Sequence, residues 1–491
     1  MADARRWWVL AILGLAQLMT VLDNSIVNVA LPSAQIDLRF SGDVRSWIVT
    51  AYALAFAALL LPSGRLSDLL GRKRAFITGL AGFAGASAIG GAASGFAMLV
   101  AARAVQGAFA ALLAPTVLAL TTTTFPGGKE RARAFGLLGA LAGTGGVIGL
   151  ILGGVLTEYM GWRWTMYVNV IFAAAAIVGA VALLDRERGT GRTRLDWLGA
   201  MLAGTGLLSM VFGFAHAQVA GWGAAPVTGS LAGGVALIGL FVLRQSLAPV
   251  PLLPLRVLRD RDRGAAYVLR VTVSAGNFSV TFLMAYFLQA DRGLSPAMTG
   301  VAMVPTVAGI ITGANLLGAT LLPRFGPRPL GVGGLLLSAA AMLWLAQLSV
   351  TSSYWTGILM PLYVFGIGQG VTSTVSMSTA TLNLDPRDIG VASATVNVMQ
   401  QAGGSLGTAL LSSISATTAA AYLAAHPGQH AAAGVHGDNL AFVVAAAWLT
   451  IAAVAVGTLA RSGGSVLLRP ETASKMYAVR RDDGRQASER D

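Results

Sequence analysis

Cysteine is absent from the 491-residue chain, which excludes disulfides and thiolate metal ligation. Histidines number four and lack ligand spacing, so the sequence offers no metal site. Charge is scarce: Asp, Glu, Lys and Arg make up 11% of the residues against 55% hydrophobic, and the mean hydropathy is +0.69. A soluble domain carries about a quarter charged residues, so this is an integral membrane protein. The Gly-x-x-x-x-Gly-Lys-Ser/Thr phosphate loop is missing, and too little polar chain lies between apolar runs to house an ATPase. Lysine is rare, three residues beside 31 arginines, a bias that fits a GC-rich bacterial genome and says nothing of function.

What the chain has in quantity is apolar length. Runs near 9–30, 46–64, 75–95, 97–121, 133–157 and 164–184 are followed by 196–216 and 227–246. Then come 267–289, 298–321, 330–349, 355–380, 389–418 and 439–460. Each is long enough for a hydrocarbon core of about 30 Å. The expected fold is all-α, with fourteen transmembrane helices. An even number of crossings leaves both termini on one side. Of the 34 Lys and Arg, 28 fall on that side, four on the other (Arg39, Arg45, Arg163, Arg292) and two within spans (Arg103, Arg270). The positive-inside rule then puts both termini in the cytoplasm. The net charge of +13 is thus a topology signal, and no nucleic-acid partner is expected, because that reading needs a basic stripe interleaved with aromatics. Arg5 and Arg6 precede the first run as in a signal peptide, but no small-residue cleavage site follows, so the run reads as a retained helix.

Two polar stretches divide the chain. Asp185 to Asp196 is charged and glycine-bearing, and Ala248 to Arg263 is rich in proline and arginine. They suggest an N-terminal six-helix bundle over 1–186, two additional linker helices over 187–250, a C-terminal six-helix bundle over 251–465 and a cytoplasmic tail over 466–491. The bundles echo each other weakly. Arg103-Ala-Val-Gln106-Gly107 has a counterpart in Gly366-Ile-Gly-Gln369-Gly370, and Gly64 to Arg74 has one in Gly318 to Arg328. Repeated helical halves are how many transporters build a midplane site with alternating access.

Within the first run, Gln17, Thr20, Asp23, Asn24 and Asn28 fall in an arc of about 140° at 100° per residue. A helix with such a face does not turn it to lipid. An aspartate at mid-bilayer costs about 2.5–3.5 kcal/mol on insertion scales, so Asp23 should face a partner or a water-filled cavity. It is the only acid placed well inside a span; Glu158, Asp291, Asp385 and Asp388 lie near ends or in loops. Asp23 is either a proton or cation carrier or a structural acid held by a neighbouring helix. Arg103 lies too deep for its side chain to reach the headgroups, and either tunes an acid such as Asp23, contacts substrate, or anchors its helix. Arg270, nearer a span end, reads as snorkelling.

The Gly64-Arg-Leu-Ser-Asp68-Leu-Leu-Gly71-Arg72-Lys73-Arg74 segment reads as a tight turn pinned by bases, with Asp68 as its one acid; it serves topology alone or a gate as well. Gly139, Gly143, Gly146, Gly149 and Gly153 share one side of the fifth helix, which permits close packing or sliding. Asn277, Tyr286, Gln289, Asn315, Gln369, Asn397, Gln400 and Gln401 are polar positions in or near the trailing spans, and Tyr52 and Phe56 are aromatic candidates; each lines a cavity or bonds helix to helix.

Several of these segments carry a resemblance. The Gly64 to Arg74 segment resembles the signature between helices 2 and 3 of the major facilitator superfamily, and Leu99-Val-Ala-Ala-Arg103-Ala-Val-Gln106-Gly107 resembles its fourth-helix motif. Gly145-Gly-Val-Ile-Gly149-Leu150-Ile-Leu-Gly153-Gly154 is similar to the fifth-helix antiporter motif, with Leu150 where proline is usual. Met19 to Pro32 resembles the first-helix aspartate motif of drug and proton antiporters. Trp162 to Asn169, Tyr286 to Gln289 with Ser295-Pro296, and Gly390 to Gly404 add further matches, with Ile171 in place of another family proline. With fourteen runs, these point to the fourteen-helix drug and proton antiporter branch.

The resemblance implies a proton-coupled exporter of lipophilic, often cationic drugs, in a bacterial cytoplasmic membrane and as a monomer, with no cofactor beyond the proton gradient. Asp23 and Arg103 would couple the proton. Gln17, Asn24, Asn28, Tyr52, Phe56, Asn277, Tyr286, Gln289, Gln369 and Asn397 would be candidates for the cavity. Gly64, Asp68, Gly71, Arg72 and Arg74 would form the gating loop, and Gly145, Gly149, Gly153 and Gly154 the antiporter-motif face. Two alternatives stay open: a dedicated exporter of one metabolite or a symporter of the same fold, and a membrane sensor that binds without transport. No catalytic constellation stands out, so an enzyme is not expected.

Overall fold

The computed structural model describes residues 2–42, 44–125, 128–185, 196–248, 251–252, 260–381 and 389–460. Helix dominates, and no strand occurs among the described residues. The first six segments are α1 (Ala2–Leu38), α2 (Ser46–Leu70), α3 (Arg72–Gly91), α4 (Phe96–Thr124), α5 (Gly128–Tyr159) and α6 (Trp164–Leu183). A pair follows, α7 (Trp197–Ala220) and α8 (Ala225–Leu247). α9 runs from Arg261 to Tyr286 and closes in a π turn, Phe287–Asp291. α10 is a broken segment: Pro296–Ala302, Val304–Ile311, a π stretch Thr312–Gly318, and Ala319–Phe325. α11 (Pro327–Leu345), α12 (π turn Tyr354–Leu359, then Met360–Thr381), α13 (Ile389–Ala425) and α14 (His430–Leu459) complete the order.

Among the described residues, eleven helices are long and apolar enough to cross a membrane, and α2 and α5 carry shorter apolar runs at Ser46–Leu60 and Thr144–Tyr159. Outward side chains stay apolar: Val178 is 70% and Ile451 69% exposed, which suits a lipid-facing wall. Among the described residues, three helix starts carry side-chain caps. The Asp196 side chain accepts from Gly199 N, Asp260 from Asp262 N and Arg263 N, and Ser295 from Met298 N with Pro296 in the first turn.

The segment from Gly64 to Arg74 is not the turn that its glycines suggested. α2 continues through Leu70, and the chain breaks only at Gly71, whose φ of 83° suits glycine, before α3 begins at Arg72. The Asp68 side chain lies outside the described residues, as do the side-chain positions of Gly139, Gly143 and Gly390 to Ser393. The echo seen in sequence reappears here: Gly326, with φ 79°, breaks α10 from α11 in the same way. A second echo concerns close crossings. A β-carbon at Gly107 of α4 would stand 2.2 Å from the Tyr52 carbonyl oxygen of α2, and one at Gly370 of α12 would stand 2.2 Å from that of Ile310 in α10. α5 and α6 run unbroken through Leu150 and Ile171.

Helices α1 to α6 pack on one another, with α1 against α5 and α6, and α4 against α2 and α3. α9 to α14 form a second group, α9 against α12, α13 and α14, and α11 against α12 and α14. α7 pairs with α8 and also reaches both groups, where Leu54 of α2, Val211 of α7 and Ala409 of α13 are buried together. The groups also meet directly through α2 and α13, α5 and α10, and α1 and α9. Below, the near end is the one at which α1 begins and the far end the one at which it finishes.

Candidate functional site

The first group encloses a charged site with no opening to solvent. Asp23 is 0% and Arg103 1% exposed. Arg103 Nη1 donates to Asp23 Oδ2 at 2.5 Å and to Gln106 Oε1 at 2.9 Å, while its Nε donates to the Ile48 carbonyl at 3.2 Å. Asp23 Oδ1 accepts from Asn169 Nδ2 at 2.7 Å and Gln106 Nε2 at 3.3 Å. Gln106 Nε2 also donates to Ser87 Oγ at 2.7 Å, and Ser87 donates in turn to the Phe83 carbonyl. The Tyr52 ring lies 4.5 Å below the guanidinium carbon and stacks on Phe56. The carboxylate on α1 is thus bonded by α4 and α6, while α2 reaches the site through Arg103 and α3 through Gln106.

Local sequence explains why these groups meet. Arg103 and Gln106 are three residues apart on α4 and so share a face. Asn169 is a single amide in the apolar stretch Thr165 to Ala176 of α6, and it points inward. In a low-dielectric interior, a charge pair persists when its remaining lone pairs and protons are bonded, and here Arg103 Nε and Nη1 and both Asp23 oxygens are.

Donor count fixes the chemistry. Three N–H donors on two carboxylate oxygens suit an ionised Asp23, and a proton on either oxygen would find no acceptor. Asn169 Oδ1 is buried without a partner.

The rest of the first-helix polar face does something else. Thr20 Oγ1, Asn24 Nδ2 and Asn28 Nδ2 donate back to the α1 carbonyls of Gln17, Thr20 and Asn24. Gln17 and Asn24 are half-buried, and Asn28 is buried. The fifth-helix glycines divide between two tasks. β-carbons at Gly145, Gly149 and Gly153 would meet Val21, Ser25 and Ile26 of α1 at 3.0, 2.7 and 2.9 Å, whereas one at Gly154 would stand 2.4 Å from the Pro296 carbonyl of α10. The stripe thus brings α1 close inside one group, and its last glycine admits the other group.

Among the described residues, the second group has no matching charge pair. Gln369, the counterpart of Gln106, is buried with Nε2 unpartnered, and glycine replaces the arginine. Asn277 and Asn397 are half-buried in this group. Arg270 does not snorkel: it turns inward, donating to Ser373 Oγ at 3.0 Å and to Gln400 Oε1. At the far end Gln289 Nε2 donates to the Val29 carbonyl at 2.9 Å, a bond between groups, and the Ala297 N–H donates to Glu158 Oε2 at 3.0 Å, another. Tyr286 lies beneath Arg45, its ring centroid 3.5 Å from the guanidinium carbon. At the near end Lys73 donates to the Val181 and Leu184 carbonyls at the finish of α6, where a cation complements the helix dipole. Arg72 is half-buried and Arg74 exposed.

The model of the family described as Major Facilitator Superfamily matches residues 13–408. The chain belongs to the major facilitator superfamily. It is 44% identical over 458 residues to the puromycin resistance protein of Streptomyces alboniger, covering 92% of this chain and 91% of that one. It is 37% identical over 420 residues to the cephamycin export protein of Amycolatopsis lactamdurans, covering 84% and 86%. The tetracenomycin C resistance and export protein of Streptomyces glaucescens is 34% identical over 409 residues, covering 83% and 75%. Among solved structures, an inward-facing bacterial homolog of the human lysosomal transporter Spinster superposes with a TM-score of 0.68 at 18% identity, covering 93% of this chain and 97% of that one. This facilitator is a multi-pass membrane transporter of small molecules and not an enzyme.

The contacts of Gln106 and Asn169 to the charge pair, and of Ser87 to Gln106, were not assigned from sequence. Gln106 and Asn169 sit inside the family-like segments, so the signal was an isolated amide in each apolar run. Asp438 was missed as well: it is 6% exposed on α14, a buried acid in the second group of helices.

Proposed function

We propose that this chain is a proton-driven antiporter that exports lipophilic, often cationic antibiotics or drugs from the cytoplasm by alternating access. The supporting observation is the sealed Asp23–Arg103 pair, an ion pair with one exchangeable proton at the meeting point of five helices. In the ionised state described above, Asp23 holds α4 and α6 onto α1. A proton on Asp23 neutralises the carboxylate, frees Arg103 to its Gln106 and Ile48 contacts, and loosens those three helices together. With Asp23 covered by Arg103 and Tyr52, substrate acts on it through the helices and not by direct contact.

In the fuller reading, all fourteen helices cross the bilayer in a six, two and six arrangement, with α7 and α8 as the inserted pair. Both termini face the cytoplasm of a bacterium, so the near end is the inner one. The transporter works as a monomer without a cofactor. The basic residues clustered on the side of the termini support that orientation.

A narrower reading, dedicated export of one natural product, gains weight from the relatives, three of which are named for single antibiotics. Everted vesicles challenged with a panel of cationic, neutral and anionic compounds separate the two. Accumulation of many chemically unrelated compounds, each abolished by collapsing the pH gradient, supports broad antiport. Accumulation of one compound supports the narrow reading, and flux indifferent to the pH gradient refutes both.

A further inference from the structure

A second set of ionisable groups sits at the far end, away from the Asp23 site. Asp438 on α14 is buried and accepts a hydrogen bond from Ser415 Oγ of α13 at 2.6 Å. Asp291 ends the π turn of α9, and its Oδ2 is buried without a hydrogen-bond partner. A β-carbon at Gly434 would stand 3.0 and 3.2 Å from the two oxygens of Asp291. Gly434 precedes Asp438 by one helical turn, so the Asp291 carboxylate rests on the same face of α14.

The cation in their field comes from the other group of helices. Arg45, just before α2, is 9% exposed and stacks on Tyr286 at 3.5 Å and Phe282 at 5.2 Å, with its Nε buried and unpartnered. Burial pulls its pKa below the ordinary value, opposed by Tyr286, Asp438 and Asp291. Neither acid forms an ion pair among the described residues. The other groups close by are turned elsewhere: Arg292 donates to the Val350 and Ser352 carbonyls, His436 lies against Tyr422, and Asn439 donates to the Leu348 carbonyl. Phe287 and Leu288, which precede Asp291, and Ala441 and Phe442, which follow Asp438, belong to the buried apolar core.

Asp438 is buried and Asp291 half-buried with Oδ2 enclosed, and both lie in the field of one guanidinium, so with both ionised the cluster carries an excess negative charge partly withdrawn from water, which an apolar setting disfavours. We propose that Asp291 and Asp438 form a second proton-binding site, which holds one proton between the two carboxylates while Arg45 is docked and gives it up when the helix groups part at the outer end. One proton makes the cluster neutral and supplies the donor that Asp291 Oδ2 lacks. When the groups separate, Arg45 leaves with α2, water reaches both acids, and the proton dissociates. Closing the outer end thus takes up a proton from outside.

The inference rests on the alternating-access reading above and makes no use of Asp23. Its sign follows from linkage: the closed end binds one more proton than the open end, so acid favours closure and rising pH opens it. The slope is about tenfold in the open-to-closed ratio per pH unit within the responsive range.

The absence of native cysteine makes the test direct. Spin labels on Ser41→Cys and Thr351→Cys, exposed at the far end of the two groups, report the distance between them in lipid nanodiscs without substrate. The native background should close as pH falls. Asp438→Asn and Asp291→Asn, each removing the excess charge, should leave the end closed and insensitive to pH. Arg45→Gln should move closure to more acidic pH. Asp23→Asn should keep the pH response even though the proposed function predicts that it loses substrate-driven proton release, so the two readings fail separately. A native distance that ignores pH overturns the proposal without relying on any acid variant to fold. It is equally overturned by carboxamide variants with the native pH response, by a response that disappears in Asp23→Asn, or by closure that follows sodium at constant pH.

Discussion

Gly300 of α10 lies directly on the carbonyl of Leu150 in α5: a β-carbon at Gly300 would stand 2.2 Å from that oxygen. Leu150 occupies the place where the family-like antiporter motif carries proline, so the contact between groups falls on the backbone of that motif. It joins the Gly154–Pro296 approach, the Gln289–Val29 bond and the Glu158–Ala297 bond to seal the far end.

The first prediction follows from that seal. Gly300→Ala cannot keep both backbones where they are, because backbone does not yield as a flexible side chain does. Export should fall by roughly tenfold or more, a loss of about 1.4 kcal/mol in stabilising the closed far end, while the folded fraction in detergent stays near native. Transport in everted vesicles checks it, and native flux would mean that the contact is loose.

A second prediction separates packing from function. Gly149→Ala places a carbon 2.7 Å from Ser25 Cβ and 3.2 Å from the Leu22 carbonyl, whereas Gly229→Ala on α8 meets nothing within 4 Å. Overpacking of this kind costs about 1–3 kcal/mol. Thermal unfolding in detergent should shift down for Gly149→Ala and not for Gly229→Ala.

A third concerns the arginine. Arg103→Lys keeps the charge but cannot reach Asp23, Gln106 and the Ile48 carbonyl together, since an ammonium lacks the planar fork of the guanidinium. Transport should fall by at least an order of magnitude with the protein still folded. Asn169→Leu removes one donor from Asp23 and leaves shape nearly intact; losing a hydrogen bond to a charged group costs about 1.5–3 kcal/mol. Turnover measured in proteoliposomes should drop for both variants, and native turnover in Arg103→Lys would show that charge alone suffices.

The helices were legible because each apolar run is long and the stretches between runs are polar. Asp23 and Arg103 were legible because a charge deep in such a run has few ways to be satisfied. Their partners were not, since Asn169 lies 146 positions from Asp23 and the pairing is set by helix rotation. Asp438 escaped for a different reason: the apolar run begins at 439, but α14 begins at His430, so an acid that looks marginal in sequence is enclosed by α9 and α13. The Gly64 to Arg74 segment misled because glycines and bases mark turns, whereas packing on α4 keeps α2 helical to Leu70. Arg270 misled likewise, because Ser373 and Gln400 draw it inward.

The most direct test of the account is the proton released when a transported compound is added to purified, lightly buffered protein in detergent, native against Asp23→Asn. The account predicts release by the native protein and none by Asp23→Asn, with the variant still binding the compound. Equal release from both would contradict the assignment of Asp23 as the exchanging group.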